Sequence, residues 1–263
     1  MFPFQNILQL SILIILTFID QRIYSKRNEQ FTQLDGCGLS GFNRIVNGRN
    51  VKDYIYPFIS LLFRNSSPYG GAVIIKERWL ISAAHNFHNL SENSYSIGVG
   101  SISIDRLTMV PVEKIIIHPE YRQEHKFDLA LIKLNQSLKF GQRIRPICLP
   151  KFSFGRSNFR KGRVIGWGYH NIFKRKIYKT LQEVDLDLLD HDQCRQIYSK
   201  IKQEIIPSQI CTLTKDKDAC VGDSGGPFFA YTKKNRAVLF GIVSFGVTCA
   251  DQFPGVHTDI FYF

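Results

Sequence analysis

The sequence lacks internal repeats and low-complexity tracts, which excludes solenoid and fibrous architectures. No two of its six cysteines form a CxxC pair, so the usual spacing of a structural zinc site is missing. No apolar run reaches the roughly twenty residues that a membrane-spanning helix needs. With 263 residues, of which 44% are hydrophobic, the chain has enough apolar side chains for a buried core and is expected to be globular.

The longest apolar run, from Ile7 to about Phe18, is followed by polar and basic residues. This pattern is typical of the apolar region of a secretory signal. We therefore expect a signal peptide over residues 1–25, a short polar propeptide over 26–44, and a secreted, extracellular protein with no membrane attachment after signal removal. An uncleaved membrane anchor is the alternative.

The even number of cysteines favours disulfides, which form and persist in oxidising extracellular surroundings. The cysteines are therefore compatible with secretion. Their count leaves the pairing open. Sequons at Asn65, Asn89 and Asn135 are also compatible with secretion, although such triplets arise by chance as well.

Acidic residues are scarce, since 22 of them face 34 basic residues and the formal charge is +12. The densest basic cluster is FKRKIYK, Phe173–Lys179. Its loop Lys174–Lys176 predicts either a heparin-like anionic glycan as partner or a solvated basic surface. No nucleic-acid motif accompanies it, and a nucleic-acid partner is not expected.

Short apolar segments rich in Ile, Val and Phe, bounded by Gly, Pro, Asn and Ser, predict an all-β sandwich or barrel. The segments are FISLLF, GAVII, YSIGVG, VEKIIIH, LALIKL, GRVIGWG, AVLFGIVSFG and GVHTDI. One helix is expected after Asp190, a good N-cap, with Gln193 placed to complete a capping box. About 220 residues suffice for one large barrel or two small ones.

Three residues could together carry acyl transfer, which needs a hydroxyl nucleophile, a base and an orienting acid. Ser224 lies in GDSGGP, where glycines let the backbone approach a substrate closely. His85 follows an apolar strand in LISAAHNF, and Asp128 opens the strand FDLALIKL. Taken singly, each has an ordinary structural explanation: a turn, a satisfied histidine, a strand start.

Together and in this order, the motifs resemble those of the chymotrypsin-like (trypsin-like) serine proteases from about Cys37 onward. They are RIVNG at Arg44–Gly48, SAAH at Ser82–His85, DLALIKL at Asp128–Leu134, GWG at Gly166–Gly168 and GDSGGP at Gly222–Pro227. The resemblance implies two six-stranded antiparallel β-barrels with a short intermediate helix. The family continues into a C-terminal helix that is expected to be missing here, because the sequence stops at Phe263.

The resemblance also implies roles. Ser224 is the nucleophile, His85 the general base and acid, and Asp128 the residue that orients His85. Gly222 and Ser224 supply the oxyanion hole, and Ser244 matches the serine that hydrogen-bonds the buried aspartate.

Activation is implied by RIVNG. The proenzyme would be cut after Arg44, and the new ammonium of Ile45 would pair with Asp223. The family pattern further implies the disulfides Cys37–Cys148, Cys194–Cys211 and Cys220–Cys249, the first of which keeps the propeptide attached.

Specificity follows from the family's pocket positions. Asp218 matches the pocket floor that selects Arg or Lys through a charge-assisted contact. Gly246 and Gly255 match the pocket walls, and Phe245 stands where the family usually has Trp. A solvated aspartate in KDKDAC, beside Asp216, is the ordinary explanation of Asp218.

Two family disulfides are lost as pairs: their positions hold Tyr69 with Asn86, and Gly162 with Ala230. Between Val99 and Met109 only Asp105 is acidic, too few ligands for a calcium loop. His85 and His88 could suggest a metal, but the catalytic role of His85 takes precedence. We expect no metal and no cofactor.

The sequence thus predicts a secreted serine endopeptidase that is made as a zymogen and cleaves polypeptides after Arg or Lys. Its expected partners are an activating protease and protein inhibitors. The alternative is a non-catalytic homologue that acts by binding, although such homologues usually show a substituted Ser, His or Asp.

Overall fold

The protein is described here by a computed structural model covering residues 36–40, 55–87, 91–150, 159–171, 176–247 and 253–263. The described residues form two barrels, each closed by antiparallel strands. The strands are β1 Ile59–Arg64, β2 Ser67–Lys76, β3 Trp79–Ser82, β4 Tyr95–Val99, β5 Thr108–Ile117, β6 Ala130–Leu134, β7 Lys161–Gly166, β8 Tyr169–Asn171, β9 Lys176–Ile177, β10 Gln182–Leu189, β11 Gln209–Thr212, β12 Pro227–Tyr231, β13 Ala237–Phe245 and β14 Gly255–Asp259.

The first barrel closes in the order β1-β2-β3-β6-β5-β4. Its strands alternate as a barrel wall requires: in β6, Ala130, Ile132 and Leu134 are buried, while the two residues between them are half-buried. Strand β6 pairs with β3, with Ala130 opposite Ser82. The end of β3 and the start of β6 therefore lie side by side, which brings the segments carrying His85 and Asp128 together.

The second barrel closes in the order β10-β11-β14-β13-β12-β7. The segment that contains Ser224 leads directly into β12, and Ser244 lies near the end of β13. Because β12 and β13 are neighbours in the barrel, both serines reach the same edge.

The one α-helix among the described residues, α1 (His191–Ser199), begins as the sequence predicts. Asp190 is the N-cap, and its Oδ1 accepts hydrogen bonds from the backbone N–H groups of Asp192 (3.0 Å) and Gln193 (3.1 Å). On its buried face, Cys194 forms a disulfide with Cys211 of β11. The helix is thereby fixed to the second barrel.

Large apolar side chains fill the junction between the barrels. Phe58 from the first barrel meets Phe229 of β12 edge-to-face, with 5.1 Å between ring centroids, and both are fully buried. At the edge of this core Tyr56 donates to Glu183 of β10 and accepts from Arg163 of β7. The two barrels therefore pack as one body with a continuous core.

The predicted fold is confirmed: two six-stranded antiparallel barrels and a short intermediate helix. The apolar segments picked out in the sequence correspond to β1, β2, β4, β5, β6, β7, β13 and β14. Strand β3 is the apolar strand expected before His85. Strands β10, β11 and β12 were not among the predicted segments. Strand β10 has three acidic residues and only one fully buried side chain, Leu186, so its sequence does not show the apolar run of a core strand.

Several predicted features lie outside the described residues. These are Arg44 and Ile45, the segment 1–25, His88, Asn89, Lys174, Arg175 and Cys249. Cys37 is bonded to Cys148, and Cys220 is also in a disulfide. Among the described residues no helix has the length and apolar character to span a membrane.

A buried histidine gives the second barrel a pH-dependent stability. His257 of β14 is fully buried, stacks on Phe228 and has its Nε2 2.9 Å from the Thr212 hydroxyl, while its Nδ1 has no hydrogen-bond partner. Burial lowers the pKa of His257 from 6.5 to about 3. The imidazole is therefore neutral in the folded protein at neutral and mildly acidic pH.

We predict that the free energy of unfolding falls as the pH drops below 6.5. In that range His257 binds a proton in the unfolded chain, whereas in the folded protein it stays neutral down to about pH 3. By about pH 5 the loss attributable to this residue should be about 2 kcal/mol. Urea denaturation across a pH series measures it. The variant His257→Gln should lack this part of the pH dependence, and an unchanged slope would contradict the assignment.

Candidate active site

A buried carboxylate holds the histidine turn of the first barrel. Asp128 is inaccessible to solvent, and its Oδ1 accepts the backbone N–H of His85 at 2.8 Å. Its Oδ2 lies 2.7 Å from Nδ1 of the same residue. Since one carboxylate contacts both the main chain and the ring of His85, the orientation of the imidazole is fixed relative to its backbone.

The second barrel supplies further partners of Asp128. The Ser244 hydroxyl donates to Oδ2 at 2.5 Å, and the Thr258 hydroxyl donates to the Asp128 carbonyl oxygen at 2.8 Å. Both hydroxyls are buried. Asp128 is thus bonded to residues of both barrels, and the position of His85 depends on how the barrels pack.

The protonation state of Asp128 follows from these contacts. Burial by itself would raise the pKa of this carboxyl, but the contacts with His125, His85 and Ser244 lower it below its ordinary value. The carboxylate is therefore ionised across the physiological range and can stabilise positive charge on the His85 ring.

Ser224 lies in a tight bend between two glycines with left-handed backbone angles. Gly222 has φ +96° and Gly225 has φ +85°, which side-chain-bearing residues rarely adopt. Within the described residues, the N–H groups of Gly222 and Ser224 donate to no protein acceptor. The bend is nevertheless anchored, because the Gly225 N–H donates to the Val243 carbonyl and the Gly226 N–H to Asp223.

The Asp223 side chain turns away from the bend toward the GWG motif. Its oxygens accept the backbone N–H groups of Gly168 (2.8 Å) and Cys220 (2.9 Å). A Cβ on Gly166 or Gly168 would come within 2.0 or 2.4 Å of this carboxylate, so both positions must be glycine. Burial raises the pKa of Asp223 despite the two N–H bonds. The carboxylate occupies an enclosed site that a cation would stabilise.

A cleft of about 260 Å³ runs between the two barrels where these segments meet. His85 and Asn86 line one side of it, and Gly222 and Ser224 line the other. Tyr69 forms part of the wall. The histidine and the serine that the sequence predicts to act together therefore border the same open space.

The predicted specificity residues are brought together in part. Asp218 is half-buried, and a Cβ on Gly255 would lie 2.6 Å from its Oδ1, so only glycine leaves room for this carboxylate. Gly246 is exposed. Phe245 is half-buried and stacks on His125 with 5.0 Å between centroids. The His125 ring in turn contacts the ring of His85.

Asn86 bridges the two sides of the site at a position where a family disulfide is lost. Its side chain is buried, and Nδ2 donates to the Ser224 carbonyl oxygen at 3.0 Å and to the Ser82 hydroxyl at 3.2 Å. The Ser224 carbonyl also accepts the N–H of Gly71 at 2.8 Å. Hydrogen bonds thus connect the histidine turn to the serine bend.

At the other lost disulfide, an aromatic ring takes up the space. A Cβ on Gly162 would lie 2.4 Å from the ring of Phe228 and 3.1 Å from the Phe229 carbonyl oxygen. Phe228 is fully buried. Close packing therefore occupies the position where the resemblance implies a disulfide.

Sequence reasoning missed His125, whose Nδ1 lies 3.5 Å from Oδ2 of Asp128. It belongs to no motif quoted above. Its position three residues before Asp128 was the only available signal, and histidines near a strand start are common. The roles of Asn86 and Thr258 as hydrogen-bond donors were missed for the same reason, because their partners are distant in sequence.

Paired six-stranded barrels of this topology are the chymotrypsin-like fold. Residues 45–263 match the family model described as Trypsin. The chain belongs to this family of serine proteases.

Individual relatives differ in kind. The chain is 32% identical to the transmembrane protease serine 11G of Rattus norvegicus over 86% of its own length and 56% of that protein. It is 29% identical to a venom serine protease of Polistes dominula, over 94% and 91% of the two chains. It is 32% identical to the clotting factor G beta subunit of Tachypleus tridentatus, over 85% and 79%. The chain therefore spans about half of the first relative and most of the other two.

We predict that Asn86→Ala lowers the free energy of unfolding by about 1–3 kcal/mol, because it removes a buried donor from the Ser224 carbonyl and the Ser82 hydroxyl. Urea denaturation at neutral pH measures the change. The matched control is Asn93→Ala, at an exposed position, which should shift stability by less than about 0.5 kcal/mol. Equal effects of the two substitutions would show that the bridge contributes nothing.

Proposed function

We propose that the protein is a secreted serine endopeptidase that cleaves polypeptides after Arg or Lys and is made as a zymogen activated by cleavage after Arg44. The observation that carries the proposal is the arrangement around Asp128, which holds His85 at both its backbone and its ring beside the cleft that Ser224 lines. A non-catalytic homologue has no need of this arrangement.

In the proposed mechanism, Ser224 attacks the scissile carbonyl while His85 takes the hydroxyl proton at Nε2. Asp128 keeps the His85 proton on Nδ1, so that Nε2 faces the cleft as a base. When His85 becomes protonated, the ionised carboxylate 2.7 Å away stabilises the imidazolium. His85 then gives the proton to the leaving amine. In the second half of the reaction, water loses a proton to His85 and attacks the acyl-enzyme ester, and Ser224 is released.

The oxyanion that develops on the carbonyl needs preorganised donors. The N–H groups of Gly222 and Ser224 fit this role because they have no acceptor within the described part of the protein. The positive φ of Gly222 lets the bend present its N–H groups without a Cβ in the way.

Activation would act through Asp223. Its carboxylate is enclosed by the GWG glycines and has two N–H donors but no cation among the described residues. The ammonium of Ile45, freed by cleavage after Arg44, would supply that cation and fix the bend that carries Ser224. The Cys37–Cys148 disulfide, with 5.0 Å between Cα atoms, would keep the propeptide attached to the second barrel after the cut.

The preference for Arg or Lys rests on Asp218. A carboxylate next to Gly255 can pair with a guanidinium or ammonium that enters between the pocket walls. The peptide substrate, the activating protease and protein inhibitors are the partners this function requires. An anionic glycan at Lys174–Lys176 would be a further partner.

Secretion is supported by the apolar segment near the N-terminus and by disulfides among the described cysteines. The relatives named as venom and clotting proteins are compatible with it. A relative named as a transmembrane protease keeps the membrane anchor as the alternative. N-terminal sequencing of the protein recovered from the culture medium distinguishes the two.

We predict that cutting the chain after Arg44 with immobilised trypsin produces an enzyme that hydrolyses an arginine amide and is labelled at Ser224 by a fluorophosphonate. The uncut chain should be slower by about a hundredfold or more, because its oxyanion donors are not yet fixed by the Ile45 ammonium. N-terminal sequencing verifies the cut, and amide hydrolysis and labelling are measured on the same sample.

Two controls make this experiment decisive. The variant Ser224→Ala should be cut but neither labelled nor active. The variant Arg44→Gln, treated in the same way, should stay uncut and slow, which rules out carried-over trypsin. A correctly cut wild-type chain that neither reacts with the fluorophosphonate nor hydrolyses the amide would refute the proposal and favour the non-catalytic alternative.

We further predict that Asp218→Asn lowers kcat/KM for the arginine amide by at least about a hundredfold, because the substrate cation loses the carboxylate with which it would pair. Fluorophosphonate labelling of Ser224, which needs no basic group, should stay close to wild type. The matched control is Asp216→Asn, at an exposed position two residues away, which should change kcat/KM little. Similar losses in both variants would contradict the role of Asp218.

A further inference from the structure

Two residues at the position of a lost disulfide border the cleft. The resemblance implies a bond between the positions of Tyr69 and Asn86, and both residues line the open space of about 260 Å³. Asn86 is buried, and its amide is used in bonds to the Ser224 carbonyl oxygen and the Ser82 hydroxyl. Tyr69 is only half-buried. Where the resemblance implies two sulfur atoms, this protein therefore has an aromatic ring at the cleft.

The Tyr69 ring is held in place by a cation. The guanidinium carbon of Arg64, the last residue of β1, lies 3.6 Å from the ring centroid. A cation at this distance is attracted by the face of an aromatic ring. Because Arg64 covers one face, the ring has little rotational freedom left. A ligand that packs on Tyr69 therefore has less conformational entropy to remove.

The second barrel supplies further apolar side chains to the cleft, namely Trp167, Tyr169, Ile177 and Val221. Trp167 donates its indole N–H to the Ile102 carbonyl oxygen at 2.9 Å, so its polar atom is satisfied within the protein. The Tyr169 N–H donates to the Val221 carbonyl oxygen at 2.8 Å, which connects this wall to the serine bend. None of the described residues that line the cleft is a lysine, an arginine or an acid. The cleft therefore favours an apolar or aromatic side chain over a charged one.

The cleft lies on the side of Ser224 away from Asp218. In the closed order β10-β11-β14-β13-β12-β7, strands β7 and β14 are three places apart in either direction, so they lie on opposite sides of the barrel. Asp218 lies against Gly255, the first residue of β14, whereas Trp167 follows directly on β7. Neither Asp218 nor Gly255 is among the described residues that line the cleft. A peptide whose arginine enters the Asp218 pocket therefore carries the residues beyond its scissile bond into the cleft.

We propose that Tyr69 is a specificity-determining residue that selects an aromatic or large aliphatic side chain at one of the first two positions after the scissile bond. The selecting surface, the Tyr69 subsite, consists of Tyr69, Leu61 and Val221. It stabilises the bound peptide by removing apolar area from water and by contact between aromatic rings. The inference rests on the proposed function, which puts the basic residue of the substrate in the Asp218 pocket. Because the selected side chain departs with the amine product, the preference acts on acylation and not on deacylation.

The first test measures binding without catalysis. The Ser224→Ala chain, cut after Arg44, is titrated with peptides that differ only in having Phe or Ser at the first or the second position after their arginine. By fluorescence anisotropy, the Phe peptide should bind at least about fivefold more tightly at one of the two positions. Equal affinities at both positions would overturn the Tyr69 subsite.

Variants of the same chain locate the preference. Adding Tyr69→Ser should bring the two affinities within about twofold, and Tyr69→Phe should keep them apart, because the ring remains. The matched control is Tyr262→Ser, an exposed tyrosine that does not line the cleft, which should leave the difference unchanged. Should Tyr69→Ser fail to fold, Val221→Ser takes its place, because the Val221 side chain is 53% exposed and should also lower the difference. A difference that survives these substitutions would contradict the role of Tyr69.

The second test measures the ratio of kcat/KM for the same peptides in the activated wild-type enzyme. The ratio should favour Phe by at least about tenfold, and Tyr69→Ser should lower it to about twofold or less. Because both peptides are measured on one sample, any loss of active enzyme cancels from the ratio. An enzyme that hydrolyses the arginine amide but cleaves both peptides equally would overturn this inference and leave the proposed function standing. A chain that hydrolyses neither amide nor peptides contradicts the proposed function, and the binding titration still decides the role of Tyr69.

Discussion

The buried carboxylate of Asp128 is the interaction on which the site depends. It is inaccessible to solvent and stays ionised because donors from both barrels surround it: the backbone and ring of His85, and the hydroxyl of Ser244. An uncompensated charge at this position would be strongly unfavourable, so the barrels must pack in the one arrangement that satisfies it. The same condition fixes the His85 ring at the border of the cleft that Ser224 also lines.

A second buried carboxyl group, that of Asp223, has its pKa shifted in the opposite direction from that of Asp128. Its two N–H donors do not offset the cost of burial, and its pKa is raised rather than lowered. A side chain on either glycine of the GWG motif would collide with the Asp223 carboxylate. No cation among the described residues pairs with it. Under the proposed function, the Ile45 ammonium freed by a cut after Arg44 would be that cation, and it would fix the serine bend.

Hydrogen bonds and close packing occupy the two positions where the family resemblance implies additional disulfides. Asn86 connects the histidine turn to the Ser224 carbonyl at one lost disulfide, and the Phe228 ring fills the space at the other. The first replacement lies within the site itself. Because hydrogen bonds can break and reform where a disulfide cannot, the relative position of His85 and Ser224 depends on the local packing of this region.

The pattern of short apolar segments by itself predicted an all-β fold and left open a sandwich, one large barrel or two small ones, and the resemblance to a known family then implied the two six-stranded barrels. The family was identified by the resemblance of five motifs in order, RIVNG, SAAH, DLALIKL, GWG and GDSGGP. Asp190 predicted the start of the helix. Strand β10 was missed because its acidic residues face solvent and hide the period of its buried side chains. The resemblance implied that His85 and Ser244 contact Asp128, and only the tertiary structure showed that Thr258 and His125 do so as well. Ser244 and Thr258 lie more than a hundred residues away in sequence, and His125 belongs to no motif. Contacts of this kind are set by how the two barrels close and pack, and local sequence carries no record of that geometry.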